Sequence, residues 1–314
     1  MQGKDVKISL VMATYNGEKY IFEQLDSIRK QTRPADEVII ADDGSKDSTV
    51  DIITKFIAKN NLSATWKLLQ NPVNKGWQRN FMDLINMATG DIIFLSDQDD
   101  ICHPKKIERM TEVMLQTPNA TLLACSLDFE YERKPYMFED ILNMNCYPYG
   151  KNLVEQVDFT WIWPQCIRPG CCMCFKKSLV PIATKLWFET CPHDLLLWSI
   201  AVTQGQTYIL NEKLHYFRRH IGNNSPDNSK NAKTRTISIT RFATLANNVL
   251  SHKAELNLSP QIVKKITQNR DFFALRIKAI KTKNIFLLLY LLTKVHRYPK
   301  YIISWGADVI SAFR

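Results

Sequence analysis

The chain predicts an α/β protein built on a mostly parallel, Rossmann-like sheet, with a helical extension at its carboxyl end. Two observations carry the first part: short apolar runs alternate with 3.6-period stripes through the first hundred residues, and polar clusters follow three of those runs. The third observation is a basic, aromatic-rich tail after residue 260 with no strand pattern.

Residues 7–14 (KISLVMAT) read as a first strand, closed by Tyr15-Asn16-Gly17 and followed by a helical stripe of Ile21, Leu25 and Ile28. Residues 37–41 give a second strand, ended by Asp42-Asp43-Gly44-Ser45. Ser48 with Asp51 three residues on resembles a capping box for a helix burying Ile52, Ile53, Phe56 and Ile57. Residues 65–69 read as a third strand, and Trp77, Phe81, Leu84 and Ala88 form a helical stripe that Gly90 is placed to terminate. Residues 91–95 are the fourth strand. Strands separated by helices of this length imply right-handed parallel crossovers, with ligands at the carboxyl ends of the strands. Thr14-Tyr15-Asn16, Asp42-Asp43 and residues 97–100 fall at those ends.

Farther along, residues 104–116 predict a helix, 121–127 a strand, and 130–169 an irregular region rich in aromatics, Asn and Pro. A strand follows over 170–175, entered through Gly170; residues 195–198 read as helix and 208–210 as strand.

Ser96-Asp97-Gln98-Asp99-Asp100 carries the most chemistry. In an extended backbone residues two apart face the same way, so Asp97 and Asp99 present two hard oxygen ligands to one side. Mg²⁺ or Mn²⁺ held by one or two carboxylates completes its shell with water and phosphate oxygens, which points to a nucleotide-diphosphate ligand. The competing reading is a solvated acidic turn.

Taken together, ATYN (Ala13 to Asn16) with Glu18, DDGS (Asp42 to Ser45), Asn74-Lys75-Gly76 with Arg79-Asn80, and SDQDD resemble a family 2 glycosyltransferase of the GT-A fold, the nucleotide-diphospho-sugar transferase fold. The resemblance implies that Thr14, Tyr15 and Asp42 line a nucleotide pocket with Asn16, Glu18, Asp43, Lys75, Arg79 and Gln98 close by. It implies that Asp97 contacts ribose or sugar, that Asp99 binds the metal, and that Gly170 and Cys171 flank the sugar or acceptor site. The family places its catalytic base in an acidic pair, usually Glu-Asp, and here the pair is His193-Asp194. Asp194 aligns with the base, His193 is an acceptor-side candidate, and the alternative for Asp194 is a helix N-cap. The pair is familiar from rhamnosyltransferase-like members. Tyr216-Phe217-Arg218-Arg219-His220 resembles an element whose His completes the metal shell and whose Arg steadies the diphosphate, with either Arg218 or Arg219 in the arginine role. A basic loop is the alternative. No Gln-x-x-Arg-Trp motif is present, which counts against a processive synthase.

The chain has 314 residues, 45% of them hydrophobic, enough for one large catalytic domain (1–225) and an appendage (226–314). The amino-terminal apolar run is too short for a secretory signal, and the eight cysteines fit a reducing compartment. Cys166, Cys171, Cys172, Cys174 and Cys191 lack the paired spacing of structural zinc. Of the net charge of +10, residues 260–314 carry +9. Their apolar run IFLLLYLL (285–292) is too short to span a bilayer, which needs about twenty residues. A basic tail with Tyr298, Tyr301 and Trp305 fits an anionic membrane surface, and the alternative is a helical cap packed on the catalytic domain. No nucleic-acid-binding motif accompanies the charge, so nucleic acid is not an expected partner.

These features predict an inverting, metal-dependent transferase at the cytoplasmic face of a membrane. It would move a sugar, with rhamnose from dTDP-rhamnose as first choice, to a lipid-linked glycan of a bacterial surface polysaccharide. Another donor such as a UDP-hexose, a nucleotidyltransferase, and a non-catalytic nucleotide-sugar-binding scaffold are the rival readings.

Overall fold

Parallel strands covered on both faces need apolar side chains at every position, and the first strands have them. In the computed structural model, β1 (Ile8–Thr14), β2 (Glu37–Asp42) and β4 (Ile92–Ser96) are buried almost throughout. The structure describes residues 6–131, 152–160, 163–164, 166–220, 232–294 and 301–313. The expected irregular region is therefore described only in part, since 132–151, 161–162 and 165 lie outside these residues.

Helices α1 (Ile21–Arg29), α2 (Thr49–Lys59) and α3 (Trp77–Met87) separate β1, β2, β3 (Trp66–Gln70) and β4. The short β5 (Ile101–Cys102), α4 (Lys106–Gln116), β6 (Leu122–Tyr131) and β7 (Val154–Gln156) follow. A 3-10 turn at Gly170–Cys172 leads into β8 (Met173–Lys176), then α5 (Val180–Leu186), α6 (His193–Thr203) and β9 (Thr207–Arg219). The sheet order is β3-β2-β1-β4-β8-β6-β9-β5, with β7 also paired to β9. β1 to β4, β6 and β9 run in one direction, and β5, β7 and β8 join antiparallel. Ile8, Leu10, Met12, Ile40, Phe94, Leu123 and Cys125 contribute to one core on this sheet.

Three local expectations are corrected. Ser48 stands before α2 but makes no side-chain cap there. Asp47 Oδ1 accepts Thr49 N at 3.0 Å and Glu18 Oε2 accepts Ser48 N at 3.0 Å, so carboxylates from outside the helix satisfy its first amides. Gly90 does not cap α3, which ends at Met87 with Ala88 extended. A Cβ at Gly90 would lie 2.5 Å from Ser9 N, so the residue is small to let the chain pass against β1. Residues 170–172 form a tight turn rather than the start of the strand.

The chain divides into two compact units. Met1–Val157, Cys166–Ala201 and Gly205–Asn223 form the sheet unit; Asp158–Gln165, Val202–Gln204 and Asn224–Arg314 form the other. The second contains α7 (Ala232–Ser251), α8 (Pro260–Lys281), α9 (Ile285–Leu292) and α10 (Tyr301–Phe313). Ile239, Phe272, Phe273, Ile280, Leu288 and Leu291 form its core. Asp308, buried on α10, is held by Arg235 of α7 and Arg276 of α8, both at 2.8 Å. No described helix is long and apolar enough to cross a membrane.

Candidate active site

The carboxyl ends of β1, β2 and β4 converge, and their loops are tied together by side chains. Asp42 at the end of β2 accepts Thr14 Oγ1 at 3.1 Å, Gly44 N at 3.1 Å, Ser45 N at 2.8 Å and the Ser45 hydroxyl. Those four bonds match the acceptor capacity of one carboxylate. Asp43 accepts Asn71 Nδ2 at 2.9 Å, Lys75 N at 3.0 Å and Gly76 N at 2.8 Å, which fixes the loop before α3. Asn16, in the left-handed region at φ 47°, donates its amide to Ser45 Oγ and accepts Lys46 N, both at 2.8 Å. Gln98 brackets Tyr15 through the Tyr15 N–H (2.9 Å) and the Tyr15 carbonyl (3.0 Å). The Tyr15 side chain stands exposed on a main chain held from both sides.

Asn16, Glu18, Asp42, Asp43 and Gln98 therefore spend their hydrogen bonds within the protein and fix the loops at these strand ends. Lys75 pairs with Asp83 at 2.5 Å. Arg79 pairs with Glu189 and lies 4.3 Å from the Trp187 ring centroid.

The β4 motif meets the far end of β9. His220 Nε2 is 2.8 Å from Asp99 Oδ2, and the imidazole packs on Tyr20 with centroids 4.4 Å apart. Arg218 donates its main-chain N–H to Asp100 Oδ1 at 2.9 Å. Its guanidinium engages Glu23 and Glu130 and sits 5.0 Å from the Tyr20 ring. Burial opposes the Arg218 charge, but Glu23 and Glu130 more than offset it and raise its pKa. Arg219 lies beside Phe217, 5.6 Å from the ring centroid.

A buried support for this motif carries no signal in the sequence. Lys106 Nζ donates to Cys171 O at 2.5 Å and contacts His215 Nδ1 at 3.1 Å; His215 Nε2 meets Asp100 Oδ2 at 2.9 Å. An ammonium only donates, so Nδ1 accepts and Nε2 carries the proton given to Asp100. Burial, reinforced by Lys106, depresses the His215 pKa to about 4. The thiols of Cys171 and Cys172 approach His215 closely enough to suggest a metal cluster. Both imidazole nitrogens are already engaged, however, so this cluster does not suit zinc.

On the opposite side, α6 begins at His193 and Asp194. Asp194 Oδ1 accepts Leu195 N at 2.7 Å; the residue lies inside the first turn rather than at the N-cap position that is its alternative reading. His193 is buried, stacked on Phe81 at 3.9 Å between centroids, and its Nδ1 has no hydrogen-bond partner among the described residues. Burial depresses its pKa to about 4, against the opposing field of Asp194. Gly170, the first residue of the 3-10 turn, packs against this pair: a Cβ there would lie 2.9 Å from His193 Nε2 and 3.1 Å from Asp194 Cβ. Cys171, expected to flank the sugar or acceptor site, is buried beside Asp97 and Asp100.

Asp97 links the two sides. Burial first, then the negative fields of Asp100, Asp99 and Asp194, hold its carboxyl well above the ordinary carboxylate range. Burial and Asp99 likewise push Asp100 up to about 7. A site that gathers this much negative charge fits a hard divalent cation. Asp99 and Asp97 offer oxygens and His220 an imidazole, a donor set that suits Mg²⁺ or Mn²⁺.

A sequence model described as Glycosyl transferase family 2 matches residues 9–180. The chain is 28% identical over 311 residues to the dTDP-rhamnosyl transferase RfbG of Shigella flexneri, covering 90% of this chain and 100% of that one. It is 24% identical to an uncharacterized glycosyltransferase of Nostoc sp., spanning 70% of this chain but 66% of the relative. Among solved structures it resembles Staphylococcus aureus TarS 1–349 in complex with UDP-GlcNAc, at a TM-score of 0.58 and 17% identity over 98% of this chain and 89% of that one. It also resembles the mannosyltransferase PcManGT of Pyrobaculum calidifontis in complex with GDP-Man and Mn²⁺, at a TM-score of 0.54 and 14% identity over 98% and 86% of the two chains. These structures share the GT-A fold of the sheet. With the family model spanning more than half of its length, the chain belongs to glycosyl transferase family 2.

Proposed function

We propose that this glycosyltransferase inverts the anomeric centre of a nucleoside-diphosphate sugar as it passes the sugar to a hydroxyl of a glycan carried on lipid. The enzyme would work at the inner face of the plasma membrane, in making a surface polysaccharide. Asp194 takes the proton of the acceptor hydroxyl while that oxygen bonds to the anomeric carbon. The bond from that carbon to the diphosphate oxygen breaks, and the nucleoside diphosphate leaves with the electron pair. Asp99, with His220 and Asp97 beside it, would hold the divalent cation, which when bound neutralises charge developing on the diphosphate. Tyr15 and Thr14 offer the nucleoside a wall that Asp42, Asn16 and Gln98 keep rigid. Arg219 takes the arginine role toward the diphosphate, because the Arg218 guanidinium is committed to Glu23 and Glu130.

The observation that supports this most is the environment of Asp97, where burial is joined by the fields of Asp100, Asp99 and Asp194. It supports reading the metal motif and the base as parts of one site. The full-length similarity to RfbG favours dTDP-rhamnose as donor, and the fold shared with TarS keeps a UDP-sugar as the second reading.

The test is a thermal-shift panel of UDP-, dTDP- and GDP-sugars with Mg²⁺ or Mn²⁺ and with chelator, since a ligand of the native state raises Tm. Asp99→Ala is expected to lose the metal-dependent shift. Asp194→Asn should keep that shift and lose turnover by about a hundredfold or more. Turnover retained in Asp194→Asn removes the base assignment. A donor shift with no turnover in wild type supports a binding scaffold.

A further inference from the structure

Helix α9 has the sequence IFLLLYLL, so whichever way it rolls it presents apolar side chains to both sides. Leu288 and Leu291 are fully buried in the core of the helical unit. Ile285, Phe286, Leu289 and Tyr290 are 41%, 81%, 49% and 47% exposed. At 100° per residue these four cover an arc of about 140°, a continuous face rather than scattered surface residues.

The surroundings of this face are of one sign. Lys278 and Lys281 at the end of α8, and Lys283 in the turn before α9, are all exposed, and none has an ion-pair partner among the described residues. Lys294 follows α9 and lies 4.6 Å from the Tyr290 ring centroid, its stem along the aromatic ring. No carboxylate occurs in the sequence between Asp271 and Asp308, and Asp308 is buried between Arg235 and Arg276. The turn itself is well fixed. Lys283 takes a left-handed conformation at φ 51°, and Asn284 Oδ1 caps the helix through Leu287 N at 2.9 Å. This apolar face is therefore held in place rather than left to collapse.

We infer that the outer face of α9 docks on an anionic bilayer: Phe286, Ile285, Leu289 and Tyr290 enter the interfacial region while Lys278, Lys281, Lys283 and Lys294 meet lipid phosphates. Charge selects this occupant. Two copies of the chain meeting through the same face would set lysine against lysine, whereas an anionic lipid surface satisfies the apolar and the cationic groups together. The helix is too short to span the bilayer and lies along it. The docking surface deepens the membrane part of the proposed function, and it stands without any assumption about chemistry at Asp194.

The experiment is co-sedimentation of the full chain with vesicles of phosphatidylcholine alone, or of phosphatidylcholine with phosphatidylglycerol, at low and high salt. Wild type is expected to sediment with the anionic vesicles only, and less at high salt. Lys281→Gln with Lys283→Gln should weaken partitioning roughly thirtyfold, about fivefold for each lysine near the surface. Phe286→Asp with Leu289→Asp should remove binding while keeping the wild-type circular dichroism, Tm and donor-induced thermal shift, since both side chains project outward. Wild type remaining in the supernatant with anionic vesicles overturns the inference. So does vesicle binding unaffected by either pair of substitutions, or a concentration-dependent dimer that Phe286→Asp dissociates. Vesicle binding without any donor shift upholds this surface and removes the transferase reading instead.

Discussion

Adding one methyl group at Gly170 tests whether Asp194 acts from a fixed position. The glycine is not in a left-handed conformation, so alanine there meets no backbone penalty and the effect is steric. The new Cβ would sit 2.9 Å from His193 Nε2 and 3.1 Å from Asp194 Cβ. Relief to ordinary contact, about 3.5 Å or more, needs a shift of roughly half an ångström. His193 gives way poorly, because its ring is stacked on Phe81 at 3.9 Å and meets Trp77 edge-on at 6.1 Å. The strain therefore falls on the first turn of α6 and carries Asp194 with it. Overpacking of this kind costs about 1–3 kcal/mol of stability. Displacing a reacting group by about 1 Å costs on the order of a hundredfold, so half that distance lowers kcat about tenfold, or about 1.4 kcal/mol of barrier. The assay is release of nucleoside diphosphate under saturating donor and acceptor, beside a donor titration by thermal shift. Gly170→Ala should lower kcat with donor affinity unchanged. A wild-type kcat, or a weakened donor affinity with kcat intact, refutes the proposed role of Asp194 as a base held in place beside Gly170.

Lys106→Met keeps the length of the buried side chain but removes its contacts with Cys171 O and His215 Nδ1. Chemical denaturation should show a loss of about 3 kcal/mol, the scale for breaking a buried charged network on one side, and a loss under about 0.5 kcal/mol would contradict the support role. His193 contributes to the pH dependence of stability with a definite sign, the same as that of His215 and opposite to that of Asp97 and Asp100. Its folded pKa is depressed to about 4 by burial, so between the ordinary value near 6.5 and about 4 the unfolded chain binds the extra proton. Stability from this group is complete above about pH 6.5 and is lost as pH falls toward 4, by up to about 3 kcal/mol. The change in urea midpoint on acidification across that window should be more negative in wild type than in His193→Gln; equal slopes would contradict it.

The parts of the fold that were plain in the sequence are those buried on both faces. Strands β1, β2 and β4 announce themselves as apolar runs because a parallel sheet covered on both sides admits little else. The motif of residues 96–100 was legible because carboxylates at a buried strand exit need a reason. Lys106 was not, since a lysine on an amphipathic helix reads as solvent-facing until His215 and Cys171 arrive from distant segments. The length of β9 was hidden for a related reason. Its 13 residues mix polar and apolar positions and shift register against β6 near Ser126, so only residues 208–210 carried a strand pattern. Gly90 and Ser48 misled because each residue type has a common local use, whereas its actual role is fixed by a partner far along the chain: Ser9 for Gly90 and Glu18 for Ser48.

The unequal bonding of the carboxylates also explains why a family motif of three aspartates is built asymmetrically. Asp100 is stabilised from within by the Arg218 main-chain N–H and by His215, which Lys106 holds in the donating tautomer. Asp42 and Asp43 are likewise filled by loop donors. Asp42 and Asp43 tie the end of β2 to the end of β1 and to the loop before α3, and Asp100 ties the chain after β4 to β9. Burial and like charge oppose ionisation at Asp100 and, with fewer donors to offset them, at Asp97. A cation arriving with a diphosphate relieves that opposition, and a nucleotide arriving without metal increases it. Donor and metal should therefore bind with positive coupling, each tightening the other by the same factor, and the coupling should vanish in Asp99→Ala. Titrations of Mn²⁺ in the presence and absence of donor measure that factor directly; equal affinities would mean that Asp97 and Asp99 do not meet the metal at all.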